Sequence, residues 1–141
     1  VTIQAQILDL MMALKEKRED AAILLITHDL AVVAETCDRV IVMYGGKIQE
    51  IATINELFSN PLHPYTKALL SAVPIPDPIA ETKRQRMVIE GDIPSPINPP
   101  EGCVFHTRCP SMVEDCKEAM PELKEISEGH WVGCIRAEGY A

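Results

Sequence analysis

Prolines constrain the fold of this chain more than any other residue type, because they are clustered. Seven of the eleven prolines lie between Pro74 and Pro100. Proline fixes φ and lacks a backbone N–H, so this stretch excludes a continuous helix or a central strand. We predict an ordered but irregular connector, in which "MVIEGDI" (87–93) is the one segment typical of an edge strand.

The residues before the connector alternate between helix and strand signals, which is typical of an α/β domain. Apolar residues spaced three and four apart predict an amphipathic helix from Ile3 to about Lys17. "AAILLIT" (21–27) is continuously apolar and predicts a strand buried on both faces of a parallel sheet. His28 follows at the edge where such sheets bind ligands, although the pattern alone favours a loop or capping role. Asp29 is predicted to cap a second helix.

The next residues carry turn and cap signals. "RVIVMY" and "KIQEIA" are separated only by Gly45 and Gly46, which predicts a β-hairpin with a tight turn. "TINE", Thr53 to Glu56, matches a capping box at the start of a short helix. A further helix is predicted in "PLHPYTKALLSAV", with Pro64 in its first turn.

Charge and hydropathy exclude two classes of function. The 141 residues carry a formal net charge of −8, so no basic surface is available to replace the counterions of a nucleic acid. No apolar run approaches the roughly 18 residues that span a bilayer. The chain begins "VTIQAQILDL" without Met or a signal peptide, from which we expect a fragment of a cytoplasmic protein.

Four of the five cysteines form a spaced set near the C-terminus: Cys103, Cys109, Cys116 and Cys134. Four thiolates can bind tetrahedral zinc or a four-iron cluster, and clustered cysteines in a reducing compartment favour metal over disulfides. The C-x5-C-x6-C-x17-C spacing lacks the paired C-x2-C of zinc ribbons, and Pro110 follows a cysteine as in bacterial ferredoxins. Two disulfides remain the alternative.

The neighbours of the cysteine set have weaker signals. His106 and His130 flank it and could replace a cysteine as ligand, but four cysteines favour hydrogen bonding or solvent exposure for both. Phe105 is predicted to belong to a small core. Cys37 stands apart and is predicted to be a buried core thiol.

These residues resemble a known family. "LLITHDLAVVAETCDRVIVMYGGKIQE" resembles the switch-histidine segment of ATP-binding cassette (ABC) ATPases, and "VTIQAQIL" looks like the sequence after their D-loop. "NPLHPYTKALLSAVP" and "IEGDIPSPINPPEGCVFHTRCP" resemble the C-terminal extension of ATPase subunits of bacterial and archaeal dipeptide/oligopeptide importers, a group with nickel-importer relatives. The resemblance covers essentially the whole chain.

The resemblance implies a fold and three segments. The fold would be α/β, the C-terminal part of a RecA-like P-loop NTPase domain with parallel strands and a hairpin. Residues 1–60 would belong to the ABC ATPase core, 61–100 to a helix and the Pro-rich connector, and 101–141 to a small irregular cysteine-rich module.

The resemblance also implies roles for residues. His28 would be the switch histidine that contacts the γ-phosphate of ATP, with Asp29 as its neighbour and Mg²⁺ as cofactor. Some members hold a [4Fe–4S] cluster on four C-terminal cysteines, which correspond here to Cys103, Cys109, Cys116 and Cys134; zinc is the alternative. Expected partners are a second ATPase subunit, two membrane permeases and, indirectly, a peptide-binding protein, at the inner face of the cell membrane.

The chain departs from the family pattern in one respect. No G-x-x-x-x-G-K-[ST] loop, Walker-B acidic pair, signature motif or D-loop is present, so nothing would stabilise a transferring phosphoryl group. We therefore expect the C-terminal piece of an ATP hydrolase, inactive alone, that self-associates through an open sheet edge. The alternative functions are a stand-alone zinc- or cluster-binding interaction module and a disulfide-stapled interaction domain.

Overall fold

The computed structural model describes residues 3–18, 20–74, 87–95 and 97–140. The chain forms two compact units, the first ending at Cys37 and the second beginning at Asp38. Within the described ranges, no helix combines the length and apolar character needed to cross a membrane.

The first unit contains two helices joined by an extended segment. Helix α1 spans Ile3–Glu16, as the apolar spacing predicts, and the second predicted helix, α2, spans Leu30–Thr36. Asp29 caps α2, because one of its carboxylate oxygens accepts hydrogen bonds from Ala31 N and Val32 N at 3.0 and 3.3 Å.

The predicted buried strand of the first unit is wrong in this structure. Residues 21–27 have no strand pairing and are largely exposed, with Leu24 at 84% and Ile26 at 90%. A strand exists through ladder hydrogen bonds to a neighbour, and no described segment pairs with this one. The apolar sequence thus favours a buried strand, but it does not provide the neighbouring strand with which this segment would pair.

The second unit begins with the predicted hairpin. Strand β1 spans Arg39–Tyr44 and pairs antiparallel with β2, Lys47–Thr53. Gly45 and Gly46 have φ of +56° and +76°, the left-handed conformation that a primed two-residue turn requires.

Two short helices follow the hairpin. Helix α3 spans Ile54–Ser59, and Thr53 Oγ1 accepts from Glu56 N at 3.3 Å at its N-terminus. Helix α4 spans Pro64–Ala72 and begins with the predicted proline. The Thr53 cap and the position of Pro64 are therefore confirmed.

The cysteine-rich extension contributes two strands to the sheet of the hairpin. Strand β3 spans Lys124–Ser127 and β4 spans His130–Val132, giving the order β1-β2-β4-β3. Strand β4 pairs with β2 through Glu50 opposite Val132 and Ile51 opposite Trp131. All the pairings between described strands are antiparallel, so the parallel strands implied by the resemblance are not found among them.

The connector is irregular where it is described. Residues 87–93 form no strand, so the predicted edge strand is wrong; Val88 and Ile93 are exposed and have no ladder partner. Some of the prolines predicted to lie in the connector are outside the described residues. After it, two short 3-10 turns, His106–Arg108 and Glu114–Lys117, lead to β3.

Candidate four-cysteine site

The four C-terminal cysteines lie at the ends of short turns and of one strand. Cys103 precedes the first 3-10 turn, Cys109 ends it, and Cys116 lies within the second. Cys134 follows two residues after β4 ends. Turn hydrogen bonds fix these positions, among them His106 N to the Cys103 carbonyl at 2.9 Å and Cys116 N to the Val113 carbonyl at 3.0 Å.

The thiols influence one another electrostatically. Burial raises the pKa of Cys103 above its usual value, and the nearby Cys134 and Cys116 raise it further. Burial likewise raises the pKa of Cys109, with added contributions from Cys134, Cys103 and Cys116. For both thiols burial is the main cause of the raised pKa, and the neighbouring cysteines add to it.

An apolar cluster packs around three of the four thiols. Cys103 and Cys116 are buried with Tyr44 and Phe105, and Cys109 and Tyr65 pack against the same cluster. The ring of Phe105 lies 5.0 Å from that of Tyr44 and 5.3 Å from that of Tyr65. Such a wall keeps water away from the sulfurs, which is how a protein shell tunes a metal or cluster site.

The four cysteines are free thiols, the residue type that binds either zinc or an iron–sulfur cluster. All five cysteines are free thiols in this structure. Across the described parts of the chain, no group of three or more His, Cys, Asp or Glu side chains is arranged to hold a metal ion. Neither the predicted zinc site nor the predicted [4Fe–4S] cluster therefore finds support in the described part of the chain.

A buried carboxylate joins the hairpin, the start of α4 and β4. Glu50 is fully buried, and its two oxygens accept from Leu62 N at 2.8 Å and His63 N at 3.0 Å. The first oxygen also lies 2.7 Å from His130 Nε2. A buried carboxylate is tolerated only with such donors around it, so Glu50 ties three chain segments together.

The two histidines of this network differ in their surroundings. His63 Nδ1 accepts from Tyr65 N at 3.0 Å, and burial lowers the pKa of His63 to about 4 despite the opposing charge of Glu50. His130 Nδ1 is buried, finds no hydrogen-bond partner among the described residues, and lies 3.6 Å from Glu56 Oε2. Sequence analysis missed this network, because Glu50 and His130 are distant in the chain.

The remaining predicted residues have simple environments. His28 is exposed in a bend of the first unit, directly before the capping Asp29. His106 Nδ1 lies 2.8 Å from the Cys103 carbonyl oxygen, so its predicted hydrogen-bonding role is confirmed, as is that of His130. Phe105 is fully buried, as predicted for a core residue, whereas Cys37 is only partly buried.

The family to which the sequence points is confirmed by comparison. Residues 49–116, which include most of β2, both short helices and three of the four cysteines, match the family described as "Oligopeptide/dipeptide transporter, C-terminal region". The match to the C-terminal region of that transporter family thus covers just under half of this chain.

Individual relatives extend the similarity to nearly the whole chain. A peptide import ATP-binding protein of Brucella ovis is 54% identical over 136 residues, 96% of this chain and 42% of the relative. The oligopeptide transport ATP-binding proteins AppF of Bacillus subtilis and OppF of Salmonella typhimurium are 52% and 49% identical over 95% and 98% of this chain. The chain spans about two fifths of the length of these relatives.

Proposed function

We propose that this chain is the C-terminal portion of an ATP-binding subunit that energises the import of dipeptides or oligopeptides across the cell membrane. The observation that carries the proposal is the similarity of about 50% identity along 95–98% of the chain to proteins named for that role. The match is collinear and includes both units of the structure, so it does not depend on one motif.

His28 is the residue of this chain that would meet ATP. Its exposed position in the bend before α2 leaves the imidazole free to approach a phosphate. In the whole subunit it would contact the γ-phosphate of Mg²⁺-bound ATP, whereas this chain supplies no phosphate-binding loop and alone would not hydrolyse ATP.

Cys103, Cys109, Cys116 and Cys134 would hold a [4Fe–4S] cluster. Their free thiols and the apolar cluster that packs around three of them support this role. The bound cluster would supply four iron–thiolate bonds that staple a segment too short for a large core of its own. The residues around it position the thiols: Phe105 excludes water, and the Glu50–His130 pair holds the strand that precedes Cys134.

The partners follow from the same proposal. The subunit would pair with a second ATPase subunit and with two membrane permeases, to which a peptide-binding protein delivers the substrate. Its place would be the cytoplasm, peripheral at the inner face of the membrane.

A chimaera tests the transport role. The last part of Salmonella OppF would be replaced by this chain, which aligns with it over 138 residues, and oligopeptide uptake would be measured in cells that lack native OppF. We expect uptake to be restored, to be abolished by His28→Ala and to persist with the control Asp20→Ala. A chimaera that is assembled with the permeases but transports equally well with His28→Ala would contradict the role of His28.

Iron and acid-labile sulfide analysis tests the cluster. Protein purified without oxygen should contain about four irons and four sulfides per chain. The quadruple variant with serine at all four cysteine positions should contain neither, while Cys37→Ser should retain both. One zinc without sulfide would replace the cluster with a structural zinc site.

A further inference from the structure

Cys103 and Cys116 are held together by a backbone hydrogen bond. Cys103 N donates to the Cys116 carbonyl oxygen at 2.8 Å. A nitrogen lies about 1.46 Å from its own Cα and a carbonyl oxygen about 2.4 Å from its own, which limits the distance between the two Cα atoms to about 6.7 Å. Disulfides bridge Cα separations of roughly 4.4–6.8 Å. The backbone therefore places this pair within disulfide reach.

Gly102 shows that this close approach is built into the fold. Its φ is +70°, and a Cβ at this position would overlap the Cys116 carbonyl oxygen and lie 2.6 Å from the carbonyl carbon of Lys117. Only a residue without a side chain allows the two backbones to meet here. The contact beside Cys103 and Cys116 thus depends on the glycine that precedes the first cysteine.

Burial and packing distinguish this pair from the other two cysteines. Cys103 and Cys116 are both buried in the cluster of Tyr44 and Phe105. Cys109 packs against the same cluster but is only half-buried, and Cys134 belongs to a second cluster, with Leu62 and Val132. Outside helices and strands, no other backbone hydrogen bond of the described residues joins two cysteines.

We propose that Cys103 and Cys116 form a disulfide when the four-cysteine site holds no cluster, which makes the site a thiol–disulfide switch. This proposal rests on the proposed function in one respect: it takes the iron–sulfur cluster as the occupant that the disulfide excludes from the site. With two of the four ligands joined as cystine, the site cannot take up iron until a reductant restores the thiols.

The oxidant is a low-molecular-weight disulfide, such as glutathione disulfide. One cysteine thiolate attacks it, forms a mixed disulfide and releases one glutathione thiolate. The second cysteine thiolate attacks the mixed disulfide, closes the protein disulfide and releases the second glutathione. Two electrons pass from the protein sulfurs to the oxidant, and the two thiol protons end on the two glutathione thiols.

Peptide mapping by mass spectrometry tests the pairing. The chain, freed of iron by chelation, would be equilibrated with glutathione disulfide, alkylated and digested with trypsin. Cys103 then lies in peptide 87–108, Cys109 and Cys116 share peptide 109–117, and Cys134 lies in peptide 125–136. We expect a disulfide between peptides 87–108 and 109–117, with fragmentation of the linked pair assigning the bond to Cys116.

Two single variants provide matched controls. Cys109→Ser should keep the link between peptides 87–108 and 109–117, and Cys116→Ser should lose it. Loss of the link in Cys109→Ser, a bond within peptide 109–117, or a dominant link to peptide 125–136 would each overturn the proposal. The wild-type fragmentation result decides the pairing even where a variant does not fold.

Reconstitution of the oxidised chain tests the disulfide switch separately from the proposed cluster binding. Before reduction, the chain treated with glutathione disulfide should take up no iron from ferrous iron and sulfide, and after reduction it should take up its full complement. A chain that never takes up iron but shows the Cys103–Cys116 bond refutes the cluster alone. A chain that takes up iron equally well before reduction refutes the switch alone.

Discussion

At the scale of single residues, Glu50 has the most demanding environment in the second unit. Its carboxylate accepts from two backbone N–H groups and one imidazole while fully buried. Removing its charge leaves three donors, which belong to two other segments, without an adequate acceptor, and an unsatisfied buried donor costs more than the hydrogen bond itself gains.

Glu50→Gln should therefore be strongly destabilising. The amide offers one oxygen in place of two and turns an NH₂ group toward a donor, so we expect the free energy of unfolding to fall by about 3 kcal/mol. Urea denaturation measures it. The exposed Glu101→Gln is the matched control and should change the free energy by less than about 0.5 kcal/mol. An equally small effect of Glu50→Gln would mean that this network does not hold the segments together.

His63 predicts a pH dependence of stability. Its pKa is lowered from 6.5 to about 4 in the folded chain, so between these values the unfolded chain binds more protons. The contribution of His63 to the free energy of unfolding is fully present above its pKa in the unfolded chain. This contribution is lost as the pH falls toward its pKa in the folded chain. Acidification from about pH 7 to about pH 5 should cost about 2 kcal/mol through His63.

The variant His63→Asn isolates this effect. Asparagine retains a capping acceptor for the start of α4 but does not titrate. The free energy of unfolding should fall less in the variant than in the wild-type chain on acidification from about pH 7 to about pH 5. The difference between the two proteins should be about 2 kcal/mol, the contribution of His63. Parallel pH profiles of the two proteins would show that His63 is not the group responsible.

At the scale of secondary-structure elements, local signals predicted what local interactions determine. The Asp29 cap, the turn at Gly45 and Gly46, and Pro64 at the start of α4 each depend on residues within a few positions, and each is confirmed. The segment 21–27 failed as a strand because strand formation needs a partner that its own sequence does not specify.

The same distinction between local and distant interactions applies to the candidate site. The cysteine spacing identified the four thiols, because ligand sets repeat with recognisable gaps. The sequence did not show that β4 pairs with β2 or that Glu50 meets His130, since these contacts span about 80 positions and leave no local pattern. Complementary buried charges in distant segments would have been the only signal, and many pairs could satisfy it.

The turns that carry the thiols should depend on Gly102. Gly102→Ala forces a left-handed φ on alanine and an overlap with backbone atoms that no side-chain rotation relieves, so unfolding should become easier by about 3 kcal/mol. Gly129→Ala has a similar φ of +72° but open space around the added methyl, and should cost only about 1 kcal/mol. Thermal denaturation of both variants measures the difference in stability. Equal losses of stability would show that the close backbone approach at Gly102 does not constrain the fold.

At the scale of the whole molecule, exposed apolar side chains predict self-association. Leu24 and Ile26 are 84% and 90% exposed, in a segment with strong strand character. We expect dimers or larger species in sedimentation velocity experiments and a shift toward monomer with Ile26→Lys. Ile97→Lys, at a site 94% exposed in the second unit, is the control and should leave the distribution unchanged. A monomeric wild-type chain would contradict the prediction.

Strand β4 also contains the single tryptophan of the chain, opposite Ile51 and three residues before Cys134. Its indole is thus an intrinsic fluorophore close in sequence to one of the four thiols, and no label is needed to follow the site. An iron–sulfur cluster absorbs broadly where indole emits, so loading of the site should quench this emission and release of iron should restore it. The kinetics of assembly and decay are then measurable in a cuvette, on the unmodified chain and in real time.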